Sequence, residues 1–436
     1  MRILSTAIPS SPKQFVLLIL LLISAQINSQ TTTENDSVRH TKTDAELDSL
    51  KQAFRQMQGA INELRQAVDS SHSDMNQLIS IFDPNETTDE NFQSRSRRGR
   101  VDALLQAITK QPGRLQFNGG ATSIYQNSRN RKDHHNTFTG SFDIYAHTAF
   151  SPNSLLFFDL EAIGGNGPDK YYPNMAGING DAGSTQSSDG TDRLTILEAW
   201  TEFTMLNKAI TITAGKIDLT NYFDNNSSAN DETMQFISGA FINSAAFAVP
   251  GNGPGVRLRT TLLDKYHFQF GASSADNSGD EIFEDIYRIG SLGWTVLPGT
   301  GFESNLRIYG YQHPLANHGC GWGISFDKIL FGAYHFFGRY GQNEDNVAQF
   351  RGIKEAWSAG TRFVRIIANQ TLAIGMAYGE NFSDNDQIEK EQVAELYFRR
   401  QINQWIHISP HVQGIRNASG IDEDVLIFAV RTHFNF

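Results

Sequence analysis

The sequence predicts an all-β transmembrane barrel, antiparallel and of about sixteen strands, preceded by an α-helical coiled-coil segment. Three observations carry this. From Leu115 onward, segments of about ten residues alternate apolar and polar side chains and are separated by turns rich in Gly, Asn, Asp and Pro. The chain opens as a secretory precursor, yet no later stretch has the roughly 18 apolar residues of a membrane helix. It closes on an amphipathic strand in which Leu426, Phe428, Val430, Thr432, Phe434 and Phe436 share a face. The mean hydropathy of -0.38 fits a barrel as well as a soluble protein, because lumen-facing polar residues cancel lipid-facing apolar ones.

Taken in order, residues 1–29 read as a signal peptide. Arg2 and Lys13 supply a positive start, Phe15 to Ile23 an unbroken apolar core, and Ser24, Ala25 and Ser29 the small residues for cleavage, after either Ala25 or Ser29. Residues 44–82 read as a periplasmic coiled coil. Leu47, Leu50, Phe54, Met57, Ile61, Leu64 and Val68, then Met75, Leu78 and Phe82, step by three and four with a polar interruption at Ser71. At 1.5 Å per residue that seam is on the order of 50 Å long. Residues 83–114 form a linker, with a basic run at Arg95 to Arg100 and a short amphipathic helix over Val101 to Ile108. The run is either a solvated face or a contact for anionic cell wall or lipid.

The barrel domain is expected over 115–436, with strands beginning near Leu115, Phe138, Leu155, Arg193, Ala209, Gly255, Tyr266, Gly290, Glu303, Gly319, Ile329, Glu355, Leu372, Gln392, Trp405 and Asp424. Several strands fix the faces. Phe142, Ile144, Ala146 and Phe150 oppose Asp143, Tyr145 and His147, while Leu197, Ala199 and Phe203 oppose Glu198, Trp200 and Glu202. Carboxylates facing lipid are costly, so the polar set is assigned to the lumen. The final strand, ending in Phe436, resembles the signal by which outer-membrane proteins are recognised for assembly.

The stretch from Thr211 to Arg259 holds the candidate site. Ile210, Ile212 and Ala214 alternate with Thr211 and Thr213, and Val256, Leu258 and Leu262 with Arg257 and Arg259. The connection between these strands exceeds the roughly 12 to 15 residues beyond which a loop is usually functional or disordered. Phe236, Ile237, Phe241, Ile242 and Phe247 give it apolar mass to pack inside something, and its carboxylates give it charge. A second long loop spans 164–192 and either faces outward or folds into the lumen.

These residues resemble the carbohydrate-selective porins of OprB type: Gly215-Lys216-Ile217-Asp218, Tyr222-Phe223-Asp224, Ala229-Asn230-Asp231-Glu232 with Gln235-Phe236, and Pro254-Gly255-Val256-Arg257. Glu198-Ala199-Trp200, and Glu395-Leu396-Tyr397-Phe398-Arg399 with Trp405 and Pro410, fit the same pattern. The resemblance covers 115–436 and implies an outer-membrane barrel that passes small sugars. The coiled coil is not part of the simplest members.

Acidic groups on an inserted loop, opposite arginines on the wall, set a transverse field across a narrow wet gap and raise the barrier for apolar solutes. Asp224, Asp231 and Glu232 are the loop candidates, Arg257, Arg259, Glu198 and Glu202 the wall candidates, and Trp200 the stacking face for a pyranose. For each charged group the alternative is a structural ion pair that pins the loop to the wall. A net charge of -11, from 36 basic against 47 acidic residues, disfavours nucleic acid as a partner. No metal spacing, phosphate loop or nucleophile elbow is present, so neither an enzyme nor a cofactor is expected. Cys320 is the single cysteine and reads as a small packed residue. A homo-oligomer, with a trimer favoured, is the expected assembly. The rival readings are a barrel-anchored tether between outer membrane and peptidoglycan, and a general non-selective porin.

Overall fold

The computed structural model describes residues 113–181, 193–206, 209–263, 265–276, 284–367, 370–385 and 387–436. The signal peptide, the heptad segment and the linker helix expected before Gly113 lie outside the described residues.

Sixteen strands form one closed barrel: β1 (Leu115–Arg129), β2 (His134–Ser151), β3 (Ser154–Asn166), β4 (Arg193–Met205), β5 (Ile210–Ile217), β6 (Gly253–Leu262), β7 (Tyr266–Ser274), β8 (Ile286–Val296), β9 (Ser304–His313), β10 (Gly319–Leu330), β11 (Tyr334–Asn343), β12 (Glu355–Ile367), β13 (Gln370–Phe382), β14 (Glu391–Gln401), β15 (Ile406–Arg416) and β16 (Val425–Asn435). Each strand pairs antiparallel with its sequence neighbours, and β16 pairs with β1 from Gly120↔Asn435 to Arg129↔Leu426. Closure leaves no unpaired edge, the condition for a sheet to cross lipid. Phe436 extends it, because its N–H donates to the Gly119 carbonyl at 3.1 Å and its carbonyl accepts from Gly119 N–H at 2.9 Å. The Phe436 ring stacks on Phe142 at 5.5 Å.

The alternation read from the sequence is the alternation of faces. In β16, Phe428, Val430 and Phe434 are exposed while Arg431 and His433 are buried inside. On β5 and β6, Val256 and Leu258 face out, and Thr213 and Arg257 sit paired and buried within. The outward charges lie near strand ends: Arg288 and Arg416 towards the long loops, Arg365 and Arg400 towards the short turns. Exposed aromatics rim both ends, with Tyr125, Trp322 and Tyr378 on the loop side and Tyr266, Trp294, Tyr334 and Trp405 on the turn side. This apolar band between aromatic girdles is what a lipid-embedded barrel presents. Among the described residues no helix is long and apolar enough to cross a membrane.

Two local expectations shift. Leu197 was expected to face outward with Ala199. It falls instead in a register shift, with Asp159 opposite Glu198 and Leu160 opposite Ile196, so Leu197 has no partner and the alternation resets around it. The strand expected to begin near Ile329 begins at Tyr334. Ile329 and Leu330 end β10, and the turn Phe331-Gly332-Ala333 has an apolar residue where turns usually carry polar ones.

Candidate functional site

The 35 residues between Ile217 and Gly253 do not leave the barrel but fold back into it. Short-range polar chemistry gives the loop its shape. Asp218 Oδ1 accepts from Thr220 N–H at 2.8 Å and starts the helical turn α1 (Thr220–Phe223). Asp231 Oδ1 accepts from Thr233 and Met234 N–H at 3.0 and 2.9 Å, an Asx turn. Ser238 Oγ accepts from Ala240 N–H at 3.3 Å and caps α2 (Gly239–Ile242). Phe223, Phe236, Ile237 and Phe241 are fully buried. Phe236 meets Phe241, Phe337 and Tyr397 with ring centroids 5.1 to 5.8 Å apart. Burying one such side chain is worth about 1.5–3 kcal/mol, so the aromatic contacts alone favour a seated loop.

Backbone groups of a loop held away from water need partners, and the barrel wall supplies them. Arg339 on β11 makes an ion pair with Asp224 at 3.1 Å, with both side chains fully buried. It also donates to the carbonyls of Phe241, Asp224 and Ala229 at 2.7, 3.1 and 2.5 Å. Arg362 on β12 donates to the Ser227 carbonyl at 3.1 Å and Arg399 on β14 to that of Met234 at 2.5 Å. Arg431 on β16 donates to the carbonyls of Glu232 and Gln235 at 2.6 and 2.7 Å. Glu395 on β14 does the converse, accepting from the N–H groups of Ile237 and Ser238, both at 2.9 Å. His411 Nδ1 holds the same carboxylate at 2.8 Å. Four arginines and one glutamate thus carry seven carbonyls and two amides of the loop, and Tyr311, Asn343 and Gln269 of the wall bond others.

The second long loop also folds inward. Asp169 accepts from Ile178 and Asn179 N–H at 2.7 and 3.0 Å, closing it on itself. Two backbone bonds join it to the first loop, Gly239 N–H to the Gly177 carbonyl at 3.0 Å and Gly180 N–H to that of Ile237 at 2.8 Å. Glu391 on β14 accepts from Met175 N–H at 2.9 Å. At its described end, Asp181 accepts from Ser141 Oγ on β2 at 2.7 Å. Burial foremost, and then the charges of Glu232, Asp143 and Glu161, push the Asp181 carboxyl up to about 8.

Residues 332–436, which hold β11 to β16 and so every arginine of this set, match the family model "Carbohydrate-selective porin, OprB family". This part of the barrel is of OprB type. An uncharacterized protein of Aquifex aeolicus (strain VF5) is 26% identical over 297 residues, covering 66% of this chain and 85% of its own. The high-pH structure of Pseudomonas putida OprB superposes with a TM-score of 0.59 at 13% identity, over 77% of this chain and 96% of that one. Its low-pH structure gives 0.53 at 11% identity, over 78% and 99%. At those identities the likeness is one of fold. The family resemblance carried by the motifs and the sixteen-stranded barrel are both borne out, and a closed barrel of this kind is an outer-membrane protein.

In this barrel the eight residues singled out from sequence fall into three places. Asp224 and Asp231 are fully buried, the first against Arg339 and the second within its own turn. Glu232 is half-buried near Asp181. The other five share one patch of wall. Arg257 lies 3.6 Å from Glu202, donates to Gln269 Oε1 at 2.8 Å, and sits over the Tyr222 ring of the loop at 4.1 Å. Arg259 bonds His267 at 3.0 Å. Glu198 accepts from Trp200 Nε1 at 2.9 Å and from Asn221 of the loop at 3.2 Å. Trp200 is 1% exposed, stacked on Phe157 at 5.0 Å, and Phe157 in turn stacks on Tyr145 at 5.8 Å.

Sequence reasoning did not single out Arg339, Arg362 and Arg431, and it quoted Glu395 and Arg399 only inside a motif. One signal was present. Each occupies an inward position of an alternating strand, most plainly Glu395, which lies between the outward-facing Ala394 and Leu396.

Proposed function

We propose that the protein is an outer-membrane porin through which small sugars diffuse passively, selected by a charged channel narrowed by its own loops. The observation that carries this is the inserted 218–252 loop, held against β11 to β16 by buried arginines, with the second loop bonded to it and to Glu391 of β14. The inward groups left half-buried lie opposite, on β2 to β7: Tyr145, Glu202, Arg259 and His267, with Asn221, Asp181 and Glu232 contributed by the loops. A strip of mixed charge and amide groups offers donors and acceptors that sugar hydroxyls take up in place of ordered water, whereas an apolar solute gains nothing for the water it displaces.

In this proposal Glu202, Arg257, Arg259 and Glu198 set the field of the wall and Glu232 that of the loop. Asp224 and Asp231 act as fasteners that keep the loop seated. The Trp200 ring is covered, so the stacking surface for a sugar is Tyr145, at the half-buried end of the Tyr145–Phe157–Trp200 stack. A barrel of this kind is a channel, and the proposed transport needs no chemical step or cofactor.

Liposome swelling tests the reading. Proteoliposomes should admit glucose faster than a neutral, more apolar solute of equal size, and Glu202→Gln with Arg259→Gln should narrow the difference. Equal rates for both solutes would leave a general pore.

The heptad segment at 44–82 is proposed as a periplasmic arm, either for trimer assembly or for contact with peptidoglycan. Deleting 44–82 separates these roles from transport: sugar flux should persist while oligomer mass or envelope integrity changes.

A further inference from the structure

On the outside of the barrel, at the loop end of β13 to β16 and β1, lies an open groove of about 570 Å³ that channel function does not use. Its floor dips where Gly414 lacks a side chain. Ala394, Gly414 and Leu426 are directly paired across β14, β15 and β16, and a Cβ added to Gly414 would meet nothing within 4 Å. Tyr378 forms one wall and Arg129, register partner of Leu426, the other. One rung towards the turns, Met376, Leu396, Val412 and Phe428 give a continuous exposed apolar row. One rung towards the loops comes Arg416, paired with Gln392.

The charges there do not cancel. Glu380 is neutralised by Lys390 at 2.8 Å, and Asp424 faces Arg131 at 3.8 Å. Arg129 rests on the Phe428 ring at 5.3 Å, and among the described residues neither it nor Arg416 has a carboxylate partner. Two guanidinium groups therefore stand at one end of a groove whose other end runs into the lipid-facing apolar band, at the height where headgroups meet acyl chains.

We propose that this groove binds a phosphate-bearing lipid of the leaflet that surrounds the loop end, with the phosphate between Arg129 and Arg416 and an acyl chain along Gly414 and Val412. Guanidinium groups bind phosphate oxygens by paired charge-assisted hydrogen bonds, and the missing side chain at Gly414 leaves room for a chain to lie on the strand backbone. The lipid, rather than free phosphate, is the occupant because cationic and apolar halves are contiguous on one face.

Native mass spectrometry of the full, folded protein tests this with three probes: dioleoyl phosphatidic acid, dioleoylglycerol with the same chains and no phosphate, and inorganic phosphate with no chains. Phosphatidic acid should stay bound where the other two do not. The double variant Arg129→Gln/Arg416→Gln should hold it about tenfold or more weaker, the effect of losing a charge-assisted bond. Gly414→Leu, which fills the floor and leaves the charge intact, should weaken it too. Both variants should keep wild-type conductance, since no lumen residue changes, and this separates failure here from failure of the porin reading. Retention by the double variant, equal retention of dioleoylglycerol, or competition by inorganic phosphate alone would overturn the proposal. So would a mass showing that a second copy of the chain covers the face and excludes the lipid.

Discussion

Replacing Arg339 with methionine keeps most of the side-chain volume but removes the group on which the inserted loop depends most. The wild-type guanidinium serves Asp224 and three backbone carbonyls, and both members of the ion pair are fully buried. Removing one partner of a buried pair costs about 3–5 kcal/mol, because the other charge is left uncompensated. The three carbonyl bonds would add about 1.5–3 kcal/mol each if their acceptors stayed dry. In a lumen, water reaches them once the loop shifts, so about 4 kcal/mol is the reasonable total. That changes the ratio of seated to released loop by a factor on the order of 10³. The Arg339→Met channel should therefore show larger and noisier single-channel conductance, and protease should cut between Asp224 and Phe247 where the wild type resists. Adding Asp224→Asn should recover part of the loss, since the stranded charge is then gone. Wild-type conductance and protease resistance in Arg339→Met would refute the idea that this contact seats the loop.

Arg431→Gln removes the bonds to the Glu232 and Gln235 carbonyls and should loosen the loop in the same assays, by less than Arg339→Met, which breaks three carbonyl bonds and the ion pair with Asp224. The Asp181 carboxyl, raised from 3.8 to about 8, holds its proton in the folded protein while the unfolded chain has shed it. Its contribution to stability therefore falls as pH rises through that window, and Asp181→Asn should flatten the pH dependence of thermal melting there. Gly215, at φ 139, should not tolerate alanine, whose Cβ would overlap the Ala199 carbonyl oxygen and the Trp200 backbone. Gly215→Ala should lower the yield of folded barrel, as read by heat-shifted gel mobility. Deleting Phe436 removes two backbone bonds to Gly119 and the Phe142 contact at the closing seam, and should slow membrane insertion in vesicle refolding assays.

The barrel was legible because its signal repeats. A strand whose faces meet lipid and lumen must alternate, and sixteen such segments with polar turns between them leave little choice of architecture. The inserted loop was legible for a related reason: Phe236, Ile237 and Phe241 cannot stay in water, and a barrel offers one place to bury them. What holds the loop was much less so. An arginine facing water and an arginine facing a carbonyl 98 to 199 residues away in sequence look alike, and Arg339 and Arg431 became readable only with the loop's path in view. The same holds for the acidic residues. Asp224 and Asp231 were rightly placed on the inserted loop, but the choice between lining a channel and pinning a loop turns on burial, which local pattern does not encode. The reset at Leu197 came from a bulge, and no residue type announces one.

If the space beside the seated loops recognises sugars, conductance of single channels in a planar bilayer under increasing glucose will show it. Glucose should block the channel saturably, less so in Glu202→Gln and Arg259→Gln, and a charged solute of similar size should give no such block. A stable conductance untouched by glucose at any concentration would contradict that recognition.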